Sequence, residues 1–257
     1  MLPIRSTQRV NYLGRPVTWH EMEHPGEGHR DLTKDILDVF IVDHRWRDLI
    51  RPDMTCIDIG AHSGDTTIAM MLLGGTVLAI EPNPYIRPYL EQCLADNQHL
   101  GSYAISDHAI TTGPGPVTIW DHRNAMCNGG LHDPVWGPEL EARIKGMSGQ
   151  SVTVPGDTLQ SVCKHLLTER EYNTIGFIKT DTEGHDVSIL ESSQVMIQEL
   201  RPVIFMEWFF AYGERENDRM FQVIDQLDYV ALDPATLLPW TERTSDLVLV
   251  PREHRLA

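Results

Sequence analysis

The chain has 257 residues, and its 37 acidic and 21 basic side chains give a formal net charge of −16 and a pI near 5.0. The composition, 41% hydrophobic and 23% charged, is that of a globular protein and excludes a disordered or collagen-like chain. Because a nucleic-acid-binding surface normally shows a basic stripe, the acidic balance leads us to expect no nucleic-acid partner.

Three further features concern the compartment. No apolar run reaches the roughly 20 residues that a membrane span needs, so we expect no span. The four cysteines lie more than thirty positions apart without a C-x-x-C pair, which favours a reducing compartment. The first residues contain no continuous apolar segment of the kind found in secretory signals. We therefore expect a cytoplasmic protein.

Residues 1–48 differ from the rest of the chain, and we predict that they form an extension packed on the core. A hairpin turning at Gly14 and a helix from about Thr33 to Trp46 are expected there. The run His20-Glu-Met-Glu-His24 matches the H-E-x-x-H pattern of zinc proteases, which requires both histidines on one stable helix. Since Pro25 follows directly and the residue before a proline avoids the helical region, we interpret this run as a polar loop.

From residue 49 to residue 257 we predict a single α/β domain. Short apolar runs alternate there with helical patterns, and most runs are continuous, as is typical of strands covered on both faces. This alternation predicts a mostly parallel, doubly wound sheet. The predicted strands are Thr55–Ile59, Thr76–Ile80, Ile175–Ile178, Pro202–Met206, Tyr229–Leu232 and Leu247–Val250.

Two segments between these strands have distinct patterns. Leu159 begins an apolar stripe with helical spacing, with Asp157 or Thr158 placed to cap the helix. Residues 111–156 are rich in Gly, Pro, His and Asn, and so long a segment inside a compact domain is usually functional. We predict that they form an insertion covering the substrate. The side chains that could stack on or hydrogen-bond to a sugar there are Trp120, Asn124, Asn128, His132 and Trp136.

A glycine-containing loop follows the first strand of the predicted sheet. The run Asp58-Ile-Gly-Ala-His-Ser-Gly-Asp65 ends that strand and precedes a helix expected from Thr66 to Leu73. Glycines at such a turn let a ligand approach the backbone, and a helix N-terminus carries partial positive charge. Glu81 ends the next strand, where an acid can accept both hydroxyls of a ribose. These features indicate an adenosine-type pocket.

Three other loop types do not match the sequence. A dinucleotide fingerprint needs glycine where His62 stands, and no G-x-x-x-x-G-K-[ST] loop occurs. A nucleophile elbow around Ser63 needs glycines where Ala61 and Asp65 stand. The remaining pattern is the acid-x-G-x-x-x-G loop of S-adenosylmethionine-dependent methyltransferases.

At this point the sequence resembles the FkbM family of methyltransferases. The run Ile178-Lys-Thr-Asp-Thr-Glu-Gly-His-Asp186 is similar to the family's IKIDVEGHE, with Thr180 and Thr182 replacing aliphatic residues. Weaker matches are Asp58 to Gly64, Ala79-Ile-Glu-Pro-Asn83, Ala104-Ile-Ser-Asp107, Asn128-Gly-Gly130, Pro155-Gly-Asp-Thr-Leu159, Ile189-Leu190 and Arg201-Pro202. The resemblance implies a Rossmann-like class I methyltransferase fold with seven strands, S-adenosyl-L-methionine as cofactor, and methyl transfer to an oxygen.

Strand order in such a fold brings the predicted site residues to one edge of the sheet. The candidate cofactor-binding residues are Asp58, Gly60, Ala61, His62, Gly64, Asp65, Thr66, Glu81, Pro82, Asn83, Ser106, Asp107 and Asp181. Asp107 is assigned to the adenine amine because it follows the third strand. The candidate catalytic residues are His185, Asp181, Glu183 and Glu207.

Methyl transfer to an alcohol requires alignment of the acceptor oxygen and removal of its proton. We expect His185 to be the general base, since an imidazole titrates near neutral pH, and Asp181 to orient it or hold the cofactor. Asp181 and Glu207 on adjacent strand ends would also suit Mg²⁺, an alternative that we do not favour, and we assign no metal ligands.

The sequence thus predicts an O-methyltransferase acting on a hydroxyl of a sugar, glycan or natural product. An N-methyltransferase and a nucleotide-binding module without catalysis are the alternatives. The expected partner is a small-molecule or glycan acceptor, and a homo-oligomer is compatible with the sequence.

Overall fold

A computed structural model describes residues 4–22, 34–121, 131, 150–209 and 212–254. Its strands are β1 (Ile4–Tyr12), β2 (Arg15–Met22), β3 (Thr55–Ile59), β4 (Thr76–Ile80), β5 (Tyr103–Ser106), β6 (Ala109–Ile110), β7 (Gly115–Asp121), β8 (Gln150–Asp157), β9 (Ile175–Thr180), β10 (Val203–Glu207), β11 (Tyr229–Leu232) and β12 (Asp246–Pro251). Its α-helices are α1 (Lys34–Asp38), α2 (Trp46–Leu49), α3 (Asp65–Leu72), α4 (Arg87–Asp96), α5 (Leu159–Leu166), α6 (Glu169–Asn173), α7 (Asp186–Ser192), α8 (Gln194–Leu200) and α9 (Glu214–Gln226).

Seven strands form the main sheet, in the order β11-β12-β10-β9-β3-β4-β5. The five strands from β10 to β5 are mutually parallel, and β12 is antiparallel to both of its neighbours. From β3 the chain runs outward through β4 to β5, and it then returns to β9 on the other side of β3. The predicted α/β fold with a mostly parallel, doubly wound, seven-stranded sheet is confirmed. The junction of β3 and β9 is the switch point at which such sheets bind ligands.

The observed strand ends depart from the prediction in two places. β10 starts at Val203 because Pro202 has no N–H for the ladder. β9 continues through Lys179 to Thr180, two residues past the predicted end at Ile178, although Lys179 is charged. The apolar run ends at Ile178, but the strand continues for two more residues.

The helix predictions are met to different degrees. Thr158, one of the two proposed caps, accepts a hydrogen bond from the amide of Ser161 at 3.2 Å, and α5 begins at Leu159. The single helix predicted from Thr33 to Trp46 is wrong in extent. There α1 is continued by a π-helical turn, Val39–Asp43, and Arg45 then adopts a left-handed backbone, φ +56°, before α2 begins.

Helices cover both faces of the main sheet. Residues of α5 to α9 pack on one face, and α3 and α4 pack on the other together with the N-terminal segment. On that second face the fully buried Trp46 indole contacts Phe177 of β9 and Phe205 of β10, each at a ring-centroid distance of 5.2 Å. Both faces of the central strands are therefore apolar, as their continuous hydrophobic runs require.

The N-terminal hairpin of β1 and β2 is held against α4 and the residues after it. Asn97 is fully buried, accepts a hydrogen bond from the Thr18 amide at 2.8 Å and donates one to the Thr18 carbonyl at 2.6 Å. His20 lies in β2, a strand, and its Nε2 contacts Asp96 Oδ2 at 2.6 Å. A strand cannot present an H-E-x-x-H pair on one helical face, and His24 lies outside the described residues.

A second sheet, β6-β8-β7, takes in most of the described part of residues 111–156 through β7 and β8. β7 and β8 form an antiparallel pair from Gly115–Gly156 to Asp121–Gln150, so this segment is partly sheet where the sequence pattern indicated a loop. Asn124, Asn128, His132 and the other residues in 122–130 and 132–149 lie outside the described residues. None of the described helices is long and apolar enough to cross a bilayer.

Candidate active site

The loop after β3 is fixed by the backbone of the neighbouring strand. The amides of Gly60 and Ala61 both donate to the carbonyl of Ile80, at 3.0 and 3.1 Å. Gly60 has φ +76°, and a Cβ there would lie 2.0 Å from the carbonyl oxygen of Asp181. Glycine is therefore required at position 60, because the loop after β3 touches the loop after β9.

The other end of this loop starts α3. Gly64 adopts φ +98° immediately before the helix, and His62 also has a positive φ, +47°. Two left-handed residues turn the chain sharply, so that the loop leaves its backbone at the edge of the sheet before the helix begins. Asp65 in the first turn accepts from the Thr66 amide at 2.8 Å, and burial raises its pKa to about 6.

Glu81 lies at the end of β4 and closes the loop from that side. Its Oε2 accepts from the His62 amide at 2.9 Å, and its Oε1 accepts from the Asn83 amide at 2.8 Å. Burial raises its pKa to about 7, although these two amides lower it. A carboxylate has about four acceptor positions, so Glu81 keeps capacity for two ribose hydroxyls.

Asp58 has a different environment from the one expected for a ligand-binding acid. It is fully buried, and its Oδ2 accepts from the hydroxyls of Thr66 and Thr67 at 2.8 and 2.5 Å. Its Oδ1 lies 3.5 Å from Nζ of Lys179. The described contacts of Asp58 thus join β3 to α3 and β9 in the interior, on the inner side of the loop that Glu81 closes.

Lys179 lies beside the loop after β3 and was not among the residues predicted from the sequence. Its Nζ, in a side chain only 3% exposed, donates to the Gly60 carbonyl at 2.8 Å and lies 3.6 Å from Asp181 Oδ2. Burial alone would lower its pKa, but Asp181 and Asp58 outweigh this effect and the pKa is raised. The available signal was a lysine inside the otherwise apolar run Ile175-Gly-Phe-Ile-Lys-Thr180.

The remaining predicted cofactor residues lie along the ends of β3, β4 and β5. Ala61, Asn83 and Ser106 are buried, and Asn83 Oδ1 accepts from the Tyr85 amide at 2.9 Å. Asp107 is 49% exposed and its Oδ1 lies 3.0 Å from Nδ1 of His108. Asp107 is therefore accessible to an adenine amine, and that role stays a prediction.

Three of the four predicted catalytic side chains meet after β9 and β10. Oxygen atoms of Asp181, Glu183 and Glu207 all lie within 4.8 Å of one another. Burial and the neighbouring Asp181 raise the pKa values of Glu183 and Glu207. We call these three residues the carboxylate cluster. Such close carboxylates do not all ionise together, so the cluster holds a proton at neutral pH.

One carboxylate oxygen of Glu207 has an unusual environment. Its Oε2 is buried and has no hydrogen-bond partner among the described residues. Across the β10–β12 pair it faces Asp246, whose pKa burial raises to about 6. A buried oxygen without a donor is costly when the carboxyl is ionised, which agrees with the raised pKa of Glu207.

His185, the fourth predicted catalytic residue, is 8% exposed and precedes α7. The next residue, Asp186, is fully buried and accepts from the Thr180 hydroxyl at 2.6 Å and the Thr182 amide at 3.2 Å. These bonds define the turn that carries the segment from Asp181 to His185. The base role of His185 stays a prediction.

Carboxylate oxygens at the spacing of the cluster are also the donor type that Mg²⁺ prefers. A positive charge is already present, however, because Lys179 Nζ lies 3.6 Å from Asp181. The assignment of no metal ligands, with Mg²⁺ as the alternative that we do not favour, stays a prediction.

One protein family model matches most of the chain. Residues 58–231 match the family model described as Methyltransferase FkbM domain. No curated protein matches the chain.

The solved structures that this chain is similar to are distant in sequence. Methyltransferase FkbM from Methylobacillus flagellatus KT has 14% identity and a TM-score of 0.49, over 78% of this chain and 44% of that protein, so this chain spans less than half of its length. An rRNA methylase from Streptococcus thermophilus has 12% identity and a TM-score of 0.42, over 80% and 90% of the two chains. SMU.1697c from Streptococcus mutans, in complex with SAH, has 10% identity and a TM-score of 0.45, over 82% and 94%.

Proposed function

Because the chain belongs to the FkbM methyltransferase domain family, we propose that it transfers a methyl group from S-adenosylmethionine to a hydroxyl of a sugar, glycan or natural product. The observation that carries this proposal is the contact between Gly60 and Asp181, which joins the predicted cofactor loop to the carboxylate cluster. The donor and the proton acceptor would then meet at one switch point of the sheet.

The residues at the ends of β3 and β4 fit the cofactor. Glu81 would accept the ribose hydroxyls while it holds the His62 amide. The left-handed turns at Gly60 and Gly64 leave the backbone without side chains where the methionine tail would approach. When bound, S-adenosylmethionine supplies a methyl carbon that its sulfonium already activates.

The carboxylate cluster would receive the proton of the acceptor hydroxyl. A carboxylate oxygen of the cluster would take the O–H proton as the acceptor oxygen bonds to the methyl carbon and the S–CH₃ bond breaks, with S-adenosylhomocysteine as the second product. We assign this proton to Glu207 Oε2, a buried oxygen without a described partner, in the state of the coupled cluster in which the shared proton lies on Glu183 and Glu207 is ionised. A raised pKa makes the ionised carboxylate a stronger base than an ordinary glutamate. His185 remains the alternative proton acceptor.

The same cluster favours one other acceptor class. Three carboxylates within 4.8 Å attract a cation, so an amine that binds as its ammonium form is a second candidate acceptor. N-methylation of this kind would also require a base to remove a proton before transfer. The two reactions differ in the atom that carries the new methyl group.

The experiment is a transfer assay with isotopically labelled methyl donor and a panel of acceptors. The panel contains saccharides, hydroxylated natural products, amines and an rRNA fragment, and NMR of each product locates the methyl group. We expect label on a hydroxyl oxygen. Label on nitrogen selects the amine alternative, label on rRNA contradicts the acceptor class, and tight S-adenosylhomocysteine binding without any transfer favours a binding module.

A further inference from the structure

Lys179 contacts both parts of the proposed site from the interior. Its ammonium donates to the Gly60 carbonyl at 2.8 Å and lies 3.4 Å from the Ile59 carbonyl. It also lies 3.5 Å from Asp58 Oδ1 and 3.6 Å from Asp181 Oδ2. Within the described residues it is the lysine that reaches both the cofactor loop and the carboxylate cluster.

The position of Lys179 follows from strand register. Lys179 of β9 lies opposite Asp58 of β3, one residue before β3 ends at Ile59. The Asp181 amide donates to the Ile59 carbonyl at 3.2 Å, which extends the contact between the strands past their ends. The loops that leave β3 and β9 are therefore held side by side, with one cation between them.

Two roles for this lysine can be separated. One is charge compensation, because Lys179 is the cation that the described residues place beside the fully buried Asp58 carboxylate. The other is positioning, because the Gly60 carbonyl and the Asp181 carboxylate each have their orientation set by the same ammonium. The Thr66 and Thr67 hydroxyls hold Asp58 without help from the lysine, so removal of the Asp58 charge tests the first role alone.

We infer that Lys179 is a positioning residue for methyl transfer, whose ammonium fixes the cofactor loop through the Gly60 carbonyl and the carboxylate cluster through Asp181. The inference rests on the proposed function, since it assigns the two groups that Lys179 joins to cofactor and acceptor. Bonds of a charged donor to a carbonyl and a carboxylate are among the stronger polar interactions in proteins, so their loss should be measurable.

The test is a double-mutant cycle with Lys179→Met and Asp58→Asn, and Lys164→Met is the matched control. Lys164 is exposed and its ammonium lies over the Tyr172 ring, so its removal should leave cofactor affinity unchanged. Thermal unfolding, calorimetry with S-adenosylhomocysteine, and kcat with the identified acceptor are measured for each variant.

We expect Lys179→Met to lower the unfolding midpoint and Asp58→Asn to restore it in the double variant, because the buried carboxylate is then neutral. S-adenosylhomocysteine affinity in the double variant should still be about tenfold or more below that of Asp58→Asn alone, because the charged hydrogen bond to Gly60 is lost. Its kcat should also remain lower than that of Asp58→Asn. If both quantities return to the Asp58→Asn values, Lys179 only compensates charge and the inference is wrong.

A measurement on the unaltered protein covers the case in which the double variant does not fold. The chain has four lysines, Lys34, Lys145, Lys164 and Lys179, so ¹⁵N-labelled lysine gives a simple spectrum. We expect the Lys179 ammonium signal to shift when S-adenosylhomocysteine binds, while Lys164 does not shift. An unmoved Lys179 signal at saturation contradicts the inference.

The results distinguish a wrong proposed function from a wrong inference about Lys179. If the proposed function is wrong, the wild-type chain does not bind S-adenosylhomocysteine or does not transfer methyl groups at all. Failure of the Lys179 inference alone leaves wild-type binding and transfer intact.

Discussion

Gly60 and Asp181 are so close that a Cβ on Gly60 would lie 2.0 Å from the Asp181 carbonyl oxygen. They follow strands that are distant in sequence but adjacent in the sheet, β3 and β9. This contact places the glycine loop beside the carboxylate cluster, as the proposed site requires. A single methyl group added to residue 60, as in alanine, would therefore collide with the Asp181 backbone.

Gly60→Ala should therefore weaken cofactor binding. The added Cβ must displace the Asp181 backbone, and alanine at φ +76° is strained by about 1–2 kcal/mol. We expect S-adenosylhomocysteine affinity, measured by calorimetry, to fall at least about tenfold, as a further loss of 1.4 kcal/mol would give. The matched control is Gly113→Ala, because a Cβ there meets nothing within 4 Å. Equal affinity in the two variants would show that the Gly60 contact does not shape the cofactor site.

Glu81 should make cofactor affinity depend on pH near neutrality. Its pKa is raised by burial to about 7, and ribose hydroxyls donate to its ionised form. Affinity for S-adenosylhomocysteine should therefore rise as pH increases through about 7, and Glu81→Gln should flatten this dependence. Calorimetry checks the wild type and Glu81→Gln between about pH 6 and about pH 8.5, a range that brackets this pKa. An unchanged slope in Glu81→Gln would assign the titration to another group.

Glu81 also predicts a pH dependence of stability with a definite sign. Its folded-state pKa of about 7 lies above the ordinary value of 4.5, so the folded state holds the proton more tightly than the unfolded state. The stability from this group is fully present below about pH 4.5 and is lost as pH rises through 7, by on the order of 3 kcal/mol. Chemical denaturation of Glu81→Gln and wild type should show the difference between them growing across this window. A constant difference would mean that the Glu81 carboxyl is not buried in solution.

Glu207→Gln should separate catalysis from binding. The change keeps the shape of the side chain and removes the proposed proton acceptor, so we expect kcat to fall by about 10²- to 10⁴-fold. Affinity for S-adenosylhomocysteine and thermal stability should stay close to wild type, because the buried carboxylate is among like charges. His185→Asn is measured beside it. A larger loss of kcat in His185→Asn than in Glu207→Gln would give the base role to His185.

The insertion between β7 and β8 offers a test of acceptor binding. Asp121 and Gln150 are paired across the two strands, so residues 122–149 can be replaced by an Asn-Gly hairpin turn. If this segment covers the acceptor, KM for the acceptor should rise while S-adenosylhomocysteine affinity stays nearly the same. A parallel loss of both would contradict the covering role.

The sequence predicted the fold because its strands are continuous apolar runs with helical patterns between them. Six of the seven strands, the Gly60 turn and the meeting of Asp181 with Glu207 follow from that pattern and from strand order, whereas the count of seven came from the family resemblance. Such features depend on residues close in sequence or on the rule that parallel strands end at one edge.

Two features of the proposed site could not be predicted from the sequence pattern or from strand order. Lys179 has a charged head and lies in a buried strand, and only its partners, brought together by the register of β3 and β9, make that position favourable. Asp58 was expected to face a ligand, but its carboxylate accepts from the hydroxyls of Thr66 and Thr67. Side-chain direction at the end of a strand depends on such tertiary bonds, which a one-dimensional pattern does not contain.

The central claim is tested most directly by a crystal structure of the chain soaked with S-adenosylhomocysteine. We predict that both ribose hydroxyls lie within hydrogen-bond distance of the Glu81 carboxylate and that the sulfur faces the carboxylate cluster of Asp181, Glu183 and Glu207. Density for the ligand at another edge of the sheet, or no density at a concentration that saturates binding, would contradict this account.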